Sequence, residues 1–314
     1  MRVGIGLAAV ARPAYINAGR DRDLGSDRDV PELEQRTWAV LDAATQAGVR
    51  YVDVARSYGR AEEFLASWLR ARPGVEIEIG SKWGYRYVGG WQLNAPTHEV
   101  KDHSLDAFAE QWDQTRALLG DRLAVYHVHS ATLETGVLED APLHRALAGL
   151  REQGLAVGVS VSGPDSPEVV RRALEVEVDG VPLFTSFQAT WNVLETSAGP
   201  ALSEAAAAGA RVIVKEPMAN GQLAPGSTDP APAARRLRQA AADLDVGSDA
   251  LVLALALVEP WAGCVLSGAV TPEQVASNLA ATTVEVPSGV RTELLALAED
   301  PRDYWAARSR RPWT

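Results

Sequence analysis

Residues 49–59 read Val-Arg-Tyr-Val-Asp-Val-Ala-Arg-Ser-Tyr-Gly, a short β-branched run that contains an aspartate near its end and is followed by a tyrosine. A second run, residues 75–83, reads Val-Glu-Ile-Glu-Ile-Gly-Ser-Lys-Trp and has a lysine as its next-to-last residue. Between them, residues 61–71 show the apolar spacing of an amphipathic helix. A strand, a helix and a second strand in this order predict two parallel strands joined by a helical crossover.

The same alternation continues along the whole chain. The pattern predicts eight strands, at residues 3–8, 49–54, 75–81, 123–129, 156–162, 184–189, 211–215 and 263–267. It predicts helices at residues 31–48, 61–71, 104–119, 141–153, 167–174, 198–208, within 231–258, and at 271–281. Eight strand–helix units favour an α/β fold of the (β/α)8 TIM-barrel type over an open, doubly wound sheet. We therefore expect one barrel domain across residues 1–314.

Two long loops and the carboxyl-terminal tail lie outside the repeating pattern. Residues 83–103 follow the third predicted strand, and residues 221–232 follow the seventh. Because barrel sites lie at the carboxyl ends of the strands, we expect both loops to act as lids, with the tail 302–314 closing the same pocket. The aromatic residues Trp83, Tyr85 and Trp91 are candidate walls of a substrate pocket.

Composition excludes several classes of function. The chain of 314 residues has 41 acidic and 30 basic side chains, and a formal net charge of -11 argues against a nucleic-acid partner. The longest apolar run, Ala250–Val258, falls well short of the ~20 residues of a membrane span. Glycines interrupt the amino-terminal apolar run, which favours a first strand over a secretory signal. The single cysteine, Cys264, fits the cytoplasmic location that we expect.

Three short motifs suggest other chemistries. Residues 4–9 match a dinucleotide fingerprint, but too few residues precede them to form the strand that this motif requires. Residues 158–162 match the nucleophile-elbow motif except at the fifth position, which is serine rather than glycine, and they lie within a predicted strand. His127 and His129 would face the same side of a strand and could begin a metal site. Since no third histidine ends a strand, we predict no metal, and a metal hydrolase remains the alternative.

Four polar residues at or just after the ends of three consecutive predicted strands form the main candidate site: Asp53, Tyr58, Lys82 and His129. A phenol with a pKa of about 10 is a poor acid or base near neutrality, but a neighbouring ammonium favours its ionised form. Asp53 would hold Lys82, and His129 would orient a substrate oxygen. This arrangement suits protonation of a carbonyl oxygen as hydride reaches its carbon, or the reverse. In the absence of a flavin or metal motif, a nicotinamide is the simplest hydride source.

The chain resembles the aldo-keto reductase superfamily over nearly its whole length. The resemblance rests on the order and spacing of these four residues, together with Asp121 and residues 125–129 (Val-Tyr-His-Val-His). The resemblance implies a (β/α)8 barrel that uses NADP(H) or NAD(H). It also implies that Tyr58 is the general acid/base, that Lys82 and Asp53 tune it, and that His129 positions the substrate. His127 takes a place that the family usually fills with an apolar residue, so we expect it inside the barrel.

The resemblance also implies cofactor-binding positions. Ser162 and Gly163 correspond to the Ser-Asn pair that holds the nicotinamide carboxamide, with glycine in place of asparagine. Gln188 would contact the same amide, and Lys215 stands where many members have a tyrosine that stacks on the nicotinamide. The adenosine-phosphate segment would comprise Ser267, Gly268, Gln274 and Asn278. Gly268 and Gln274 replace the cations that many members use for a 2′-phosphate, which leaves the choice between NADP and NAD open.

The predicted function is an NAD(P)-dependent oxidoreductase acting on a small carbonyl, alcohol or sugar substrate. Besides the metal hydrolase, two further alternatives remain. One is an NAD-dependent aldose (hemiacetal) dehydrogenase, and the other is a nucleotide-binding regulatory barrel with little turnover.

Overall fold

A closed barrel of parallel strands forms the centre of the molecule in the computed structural model, which describes residues 2–227 and 231–314. The strands are β1 (Val3–Gly6), β2 (Tyr51–Asp53), β3 (Glu78–Trp83), β4 (Tyr85–Tyr87), β5 (Glu99–Lys101), β6 (Leu123–Ala131), β7 (Ala156–Val161), β8 (Glu177–Val178), β9 (Val181–Pro182), β10 (Ser186–Thr190), β11 (Arg211–Lys215) and β12 (Cys264–Ser267). The barrel runs in the order β1-β2-β3-β6-β7-β10-β11-β12 and closes on β1, with every neighbouring pair parallel. The predicted (β/α)8 fold is confirmed.

Helices connect the strands. They are α1 (Arg20–Leu24), α2 (Val30–Gln46), α3 (Ala61–Ala71), α4 (Leu105–Leu119), α5 (Ala141–Glu152), α6 (Ser166–Leu174), α7 (Gly199–Ala207), α8 (Pro232–Asp243), α9 (Ser248–Leu257), α10 (Pro272–Leu279), α11 (Ser288–Leu295) and α12 (Pro301–Ser309). Local sequence sets their ends: Thr271 caps α10 by accepting a bond from the Gln274 amide at 3.2 Å, and Pro272 opens the helix. No helix in the described ranges has the length and apolar character needed to cross a membrane.

The structure contains elements that the sequence pattern did not predict. The region 231–258 holds two helices, α8 and α9, because the chain turns at Asp245, whose φ is +54°. The loop 83–103 is partly ordered as an antiparallel hairpin of β4 and β5. The loop 221–232 begins with a helical turn through Gly221, while its residues 228–230 lie outside the described part. The helices α11 and α12, which follow the last barrel unit, were not predicted.

The barrel interior is filled with side chains rather than open. Tyr51, Val125, Ile213, Cys264 and Leu266 from four strands form an apolar cluster. An interior of this kind, packed from several strands, is typical of barrels in which the pocket lies above the strands rather than through them.

His127 also lies inside the barrel, as the resemblance implied. Its side chain is fully buried, and its Nε2 lies 3.0 Å from the Ser186 hydroxyl. Burial and, secondarily, the charge of Lys82 lower the pKa of His127 to about 3, so the ring is neutral. Among the described residues, no group of three or more His, Cys, Asp or Glu side chains is arranged to hold a metal ion.

The imidazole of His127 fits only because residue 158 lacks a side chain. A Cβ at Gly158 would lie 2.3 Å from His127 Cδ2 and 2.8 Å from the Ser186 carbonyl oxygen. We therefore expect Gly158→Ala to lower the free energy of unfolding by about 1–3 kcal/mol, the usual cost of overpacking a core. Denaturant unfolding measures this change. The matched control is Gly149→Ala on α5, where a Cβ meets no atom within 4 Å and where alanine favours the helix.

Candidate active site

The four candidate site residues meet at the carboxyl ends of the barrel strands. Asp53 ends β2, Lys82 is the next-to-last residue of β3, and His129 lies near the end of β6. Tyr58 follows β2 on a turn. Because neighbouring parallel strands end at the same rim, three strand ends and one turn bring these side chains to a single position.

Lys82 is the centre of the site. Its side chain is fully buried, and its ammonium forms an ion pair with Asp53 Oδ2. The same Nζ donates to the Val54 carbonyl at 3.0 Å and lies 3.2 Å from the Tyr58 hydroxyl. The other oxygen of Asp53 accepts a bond from Gln188 Nε2 at 2.7 Å. One buried lysine therefore joins a carboxylate, a backbone carbonyl and the phenol.

The turn that carries Tyr58 is fixed by close contact with the segment after β1. The φ of Gly59 is +58°, and a Cβ there would lie 2.7 Å from the Ala11 carbonyl oxygen, so only glycine fits. That carbonyl accepts a bond from the Arg60 amide at 3.2 Å. The Tyr-Gly pair in the sequence is therefore the local signal that sets the phenol against Lys82.

His129 and Tyr85 stand beside the phenol. The imidazole of His129 meets the ring of Tyr58 edge-on, with centroids 5.5 Å apart, and meets Tyr85 at 5.0 Å. Burial, followed by the charge of Lys82, holds the pKa of His129 well below its usual value. The neutral ring keeps one N–H donor and one acceptor nitrogen, as needed to orient a substrate oxygen.

Burial sets the protonation of Tyr58 before any substrate arrives. Desolvation and, secondarily, the negative charge of Asp53 raise the pKa of Tyr58 well above its ordinary value. Burial lowers the pKa of Lys82, against the opposing effect of Asp53. At neutral pH the phenol therefore keeps its proton, which is the state of a general acid.

A cavity of about 740 Å³ opens above the phenol, and Asp53, Tyr58, Tyr85 and His129 reach its wall. That volume is typical of sites for small molecules and cofactors. Most of the predicted cofactor residues line the same cavity: Ser162, Gln188, Lys215, Ser267, Gly268, Gln274 and Asn278. The tertiary structure therefore brings the two predicted groups of residues into one continuous site.

The amide of Gln188 offers a direct test of whether a nicotinamide suits this cavity. Its nitrogen is bonded to Asp53, whereas its Oε1 is buried and has no partner among the described residues. A buried carbonyl oxygen without a donor is costly. The N–H of a nicotinamide carboxamide is the kind of donor that would satisfy it, so the residues present fit the group.

At the other end of the cavity, the polar side chains are already bonded to protein groups. Asn278 Nδ2 donates to the Ser267 hydroxyl at 2.7 Å. Gln274 Oε1 accepts from the Val270 amide at 2.9 Å, and its Nε2 donates to Asp23 Oδ2 at 2.8 Å. Gln274 therefore ties the start of α10 to α1 and places a carboxylate at the cavity wall.

Besides Lys82, which lies buried behind Tyr58, three predicted site residues do not line the cavity. Trp83 is fully buried, with its ring edge-on to His103 and Phe108. Trp91 packs against Phe64 and donates its indole N–H to the Arg28 carbonyl at 2.9 Å. Both were wrongly expected as pocket walls, because these two indoles pack against neighbouring protein groups, whereas Tyr85 reaches the cavity.

Gly163 also lies away from the cavity lining. Its φ of +97° is a backbone conformation that side chains rarely adopt, which gives a local reason for glycine where the family has asparagine.

Lys215 is held in a network that includes the tail. Its Nζ donates to the Thr190 hydroxyl at 2.9 Å, and burial lowers its pKa to about 8. Thr190 in turn donates to Glu216 at 3.0 Å, and Arg308 of α12 forms an ion pair with Glu216. The last residue, Thr314, exchanges two backbone hydrogen bonds with Tyr15. The tail thus contributes Arg308, Ser309 and Trp313 to the cavity wall.

Sequence reasoning missed Arg12 and Glu99, both of which line the cavity. No strand end or family motif marks them. The rarity of lysine is a further signal in the sequence, because the chain contains only Lys82, Lys101 and Lys215. The first and last lie in the site, and Lys101 lies beside it, with Nζ 5.4 Å from the centre of the Tyr85 ring.

Comparisons with known proteins agree with this geometry. The model of the aldo/keto reductase family matches residues 26–297. The chain is 24% identical to D-threo-aldose 1-dehydrogenase of Pseudomonas sp over 294 residues, covering 83% of this chain and 87% of the relative. It is 27% identical to pyridoxal 4-dehydrogenase of Microbacterium luteolum over 166 residues, covering 44% and 48%.

A solved structure of an aldo-keto reductase from Bacillus halodurans, in its holo form, superposes with a TM-score of 0.69. The two chains are 20% identical, over 95% of this chain and 92% of the other, and the likeness shows the shared fold. The family model covers most of the chain and the barrel is closed as expected, so this protein belongs to the aldo/keto reductase family of oxidoreductases.

Proposed function

We propose that this protein transfers hydride between a nicotinamide cofactor and a small carbonyl or alcohol substrate, with Tyr58 as the general acid/base. The observation that carries the proposal is the buried Lys82, which pairs with Asp53 and lies 3.2 Å from the Tyr58 hydroxyl at the base of the cavity. A structural barrel has no need of a buried ammonium against a phenol, since such groups are costly to desolvate.

Each residue has a distinct part in this chemistry. The bound nicotinamide would supply or accept the hydride, and Gln188 with Ser162 would hold its carboxamide. Tyr58 gives its proton to the carbonyl oxygen in reduction and takes it back in oxidation. Lys82 stabilises the phenolate that is left behind, and Asp53 keeps the ammonium in place. The neutral imidazole of His129 orients the same substrate oxygen beside the phenol.

We expect Tyr58→Phe to lower kcat by about 10²–10⁴-fold, the usual contribution of a general acid. Nicotinamide binding should stay within a few-fold of the parent, because the ring is kept and only the hydroxyl is lost. Steady-state kinetics and a cofactor titration measure both quantities. Tyr87→Phe is the matched control, since Tyr87 is half-buried on the hairpin and outside the cavity lining. Full activity in the Tyr58 variant would rule out the proposed mechanism.

The raised pKa of Tyr58 predicts the dependence of each direction on pH. Reduction needs the protonated phenol, and the pKa of Tyr58 is raised above its ordinary value of about 10, so reductive kcat/KM should stay level from neutrality to about pH 10. Oxidation needs the phenolate, so its kcat/KM should rise with pH across the same range. Initial rates in both directions, at saturating cofactor, provide the measurement. A reductive profile that falls between about pH 6 and pH 8 would contradict this assignment.

A second candidate within this chemistry is an aldose dehydrogenase that works with NAD. The relative from Pseudomonas sp is named for that activity. The observation that favours NAD is the carboxylate of Asp23, which lies at the cavity wall in contact with Gln274. A carboxylate there would repel a 2′-phosphate and could accept bonds from an unmodified ribose. The third candidate, a regulatory barrel, predicts binding without turnover.

Cofactor preference can be measured by tryptophan fluorescence, since the chain has nine tryptophans and Trp313 lines the cavity. We expect both NADH and NADPH to quench it, with tighter binding of NADH. Gln274→Arg should shift the ratio of the two dissociation constants toward NADPH by about tenfold, because a charged hydrogen bond to phosphate is gained. Tighter NADPH binding in the parent would instead mean that Arg22, also at the cavity wall, receives the phosphate.

A further inference from the structure

Arg12 is a buried cation in the wall of the cavity. Its side chain is only 1% exposed, and its guanidinium carbon lies 4.9 Å from the centre of the Tyr58 ring and 4.3 Å from that of Tyr15. Its Nε donates to the Ala8 carbonyl at 2.8 Å, and one terminal nitrogen lies 3.4 Å from the Ser57 carbonyl. The cation is therefore fixed both to the segment after β1 and to the turn that carries the phenol.

Glu99 balances this cation. Its Oε1 lies 2.6 Å from Arg12, and the two side chains are 1% and 16% exposed, with the arginine the more buried. Glu99 belongs to β5, so the pair joins the β4–β5 hairpin to the wall of the site. Solvent screens charges poorly at this burial, so both groups act on their neighbours more strongly than a surface pair would.

We propose that Arg12 is a positioning residue for the acid/base tyrosine: it fixes the ring of Tyr58 from its face, stabilises the phenolate, and is balanced by Glu99. This inference rests on the proposed function and extends it. Two cations then interact with the phenol of Tyr58. Lys82 acts at the hydroxyl, and Arg12 acts through the ring face, where a guanidinium interacts well with an aromatic ring.

The other charged groups around Tyr58 act in known directions. Lys82 lies next to the hydroxyl, and Asp53 behind it raises the pKa of Tyr58. Glu99 and Glu216 raise that pKa, and Arg12 lowers it. His129, which meets the ring edge-on, is neutral near pH 7 because its pKa is lowered by burial.

Removing Arg12 should therefore raise the pKa of Tyr58, and removing the charge of Glu99 should lower it. Arg12→Met removes a stabilising cation and leaves Glu99 uncompensated, so the phenol should ionise at higher pH. Glu99→Gln keeps a hydrogen-bond acceptor for Arg12 but removes the negative charge, so the phenol should ionise at lower pH. A purely structural pair would weaken the fold in both variants without moving the two midpoints apart.

The experiment is the pH profile of reductive kcat/KM at saturating nicotinamide, in the parent and in both variants. We expect the alkaline midpoint to rise by about one pH unit in Arg12→Met and to fall by a similar amount in Glu99→Gln. The double variant removes both charges together, restores the balance if Arg12→Met folds poorly, and should return the midpoint toward the parent. Midpoints that coincide in all four proteins, or that move the same way in both single variants, would overturn the proposal.

A control and a direct readout separate this inference from the proposed function. The matched control is the exposed ion pair of Arg171 and Glu204, where Arg171→Met and Glu204→Gln should leave the midpoint unchanged. Tyrosine labelled with ¹³C at Cζ reports ionisation without turnover, and the Tyr58 signal is the one that disappears in Tyr58→Phe. Absence of nicotinamide-dependent turnover in the parent would defeat the proposed function alone. Normal turnover with an unmoved Tyr58 titration would defeat only the role of Arg12.

Discussion

The ion pair between Lys82 and Asp53 is the constraint on which the site depends. A fully buried ammonium is costly unless a carboxylate and further acceptors surround it. Asp53 at the end of β2 and the carbonyl of Val54, the next residue, meet that need. Because Gln188 Nε2 binds the other oxygen of Asp53, the same pair also orients the amide that faces the cavity. The phenol, the amide and the barrel rim are thereby held in one arrangement.

Two further charge pairs extend this arrangement outward. Arg12 and Glu99 join the segment after β1 to the hairpin, and Arg308 and Glu216 join the tail to the loop after β11. Buried pairs contribute little net stability, but removing one partner alone is strongly destabilising because a charge is left uncompensated. They therefore hold the hairpin and the tail in defined positions more than they add to the free energy of folding. A site that must exclude water benefits from walls fixed in this way.

The sequence predictions succeeded for features set by residues close together in the chain and failed for contacts between distant residues. Helix α3 matched its predicted bounds, and α10 began at its predicted cap, because apolar period and capping are local properties. The proximity of Asp53 and Lys82 was predicted because the carboxyl ends of parallel strands lie at one rim of the barrel. Trp83 was misplaced because its burial against Phe108 depends on the packing of α4 against the end of β3, which no local pattern specified. Arg12 was missed because its partners, Tyr58 and Glu99, are distant in sequence.

Local sequence patterns therefore predicted the strand–helix alternation, the barrel that follows from it, and the polar residues at the strand ends. Those features depend on side-chain periodicity and chain connectivity, which are properties of residues that are neighbours along the chain. Which side chains face the cavity depends instead on tertiary packing, as do the position of Arg12 over the phenol and the place of Trp313 in the cavity wall. These contacts join residues as far apart as Tyr15 and Thr314, and their geometry is set by packing rather than by any local preference.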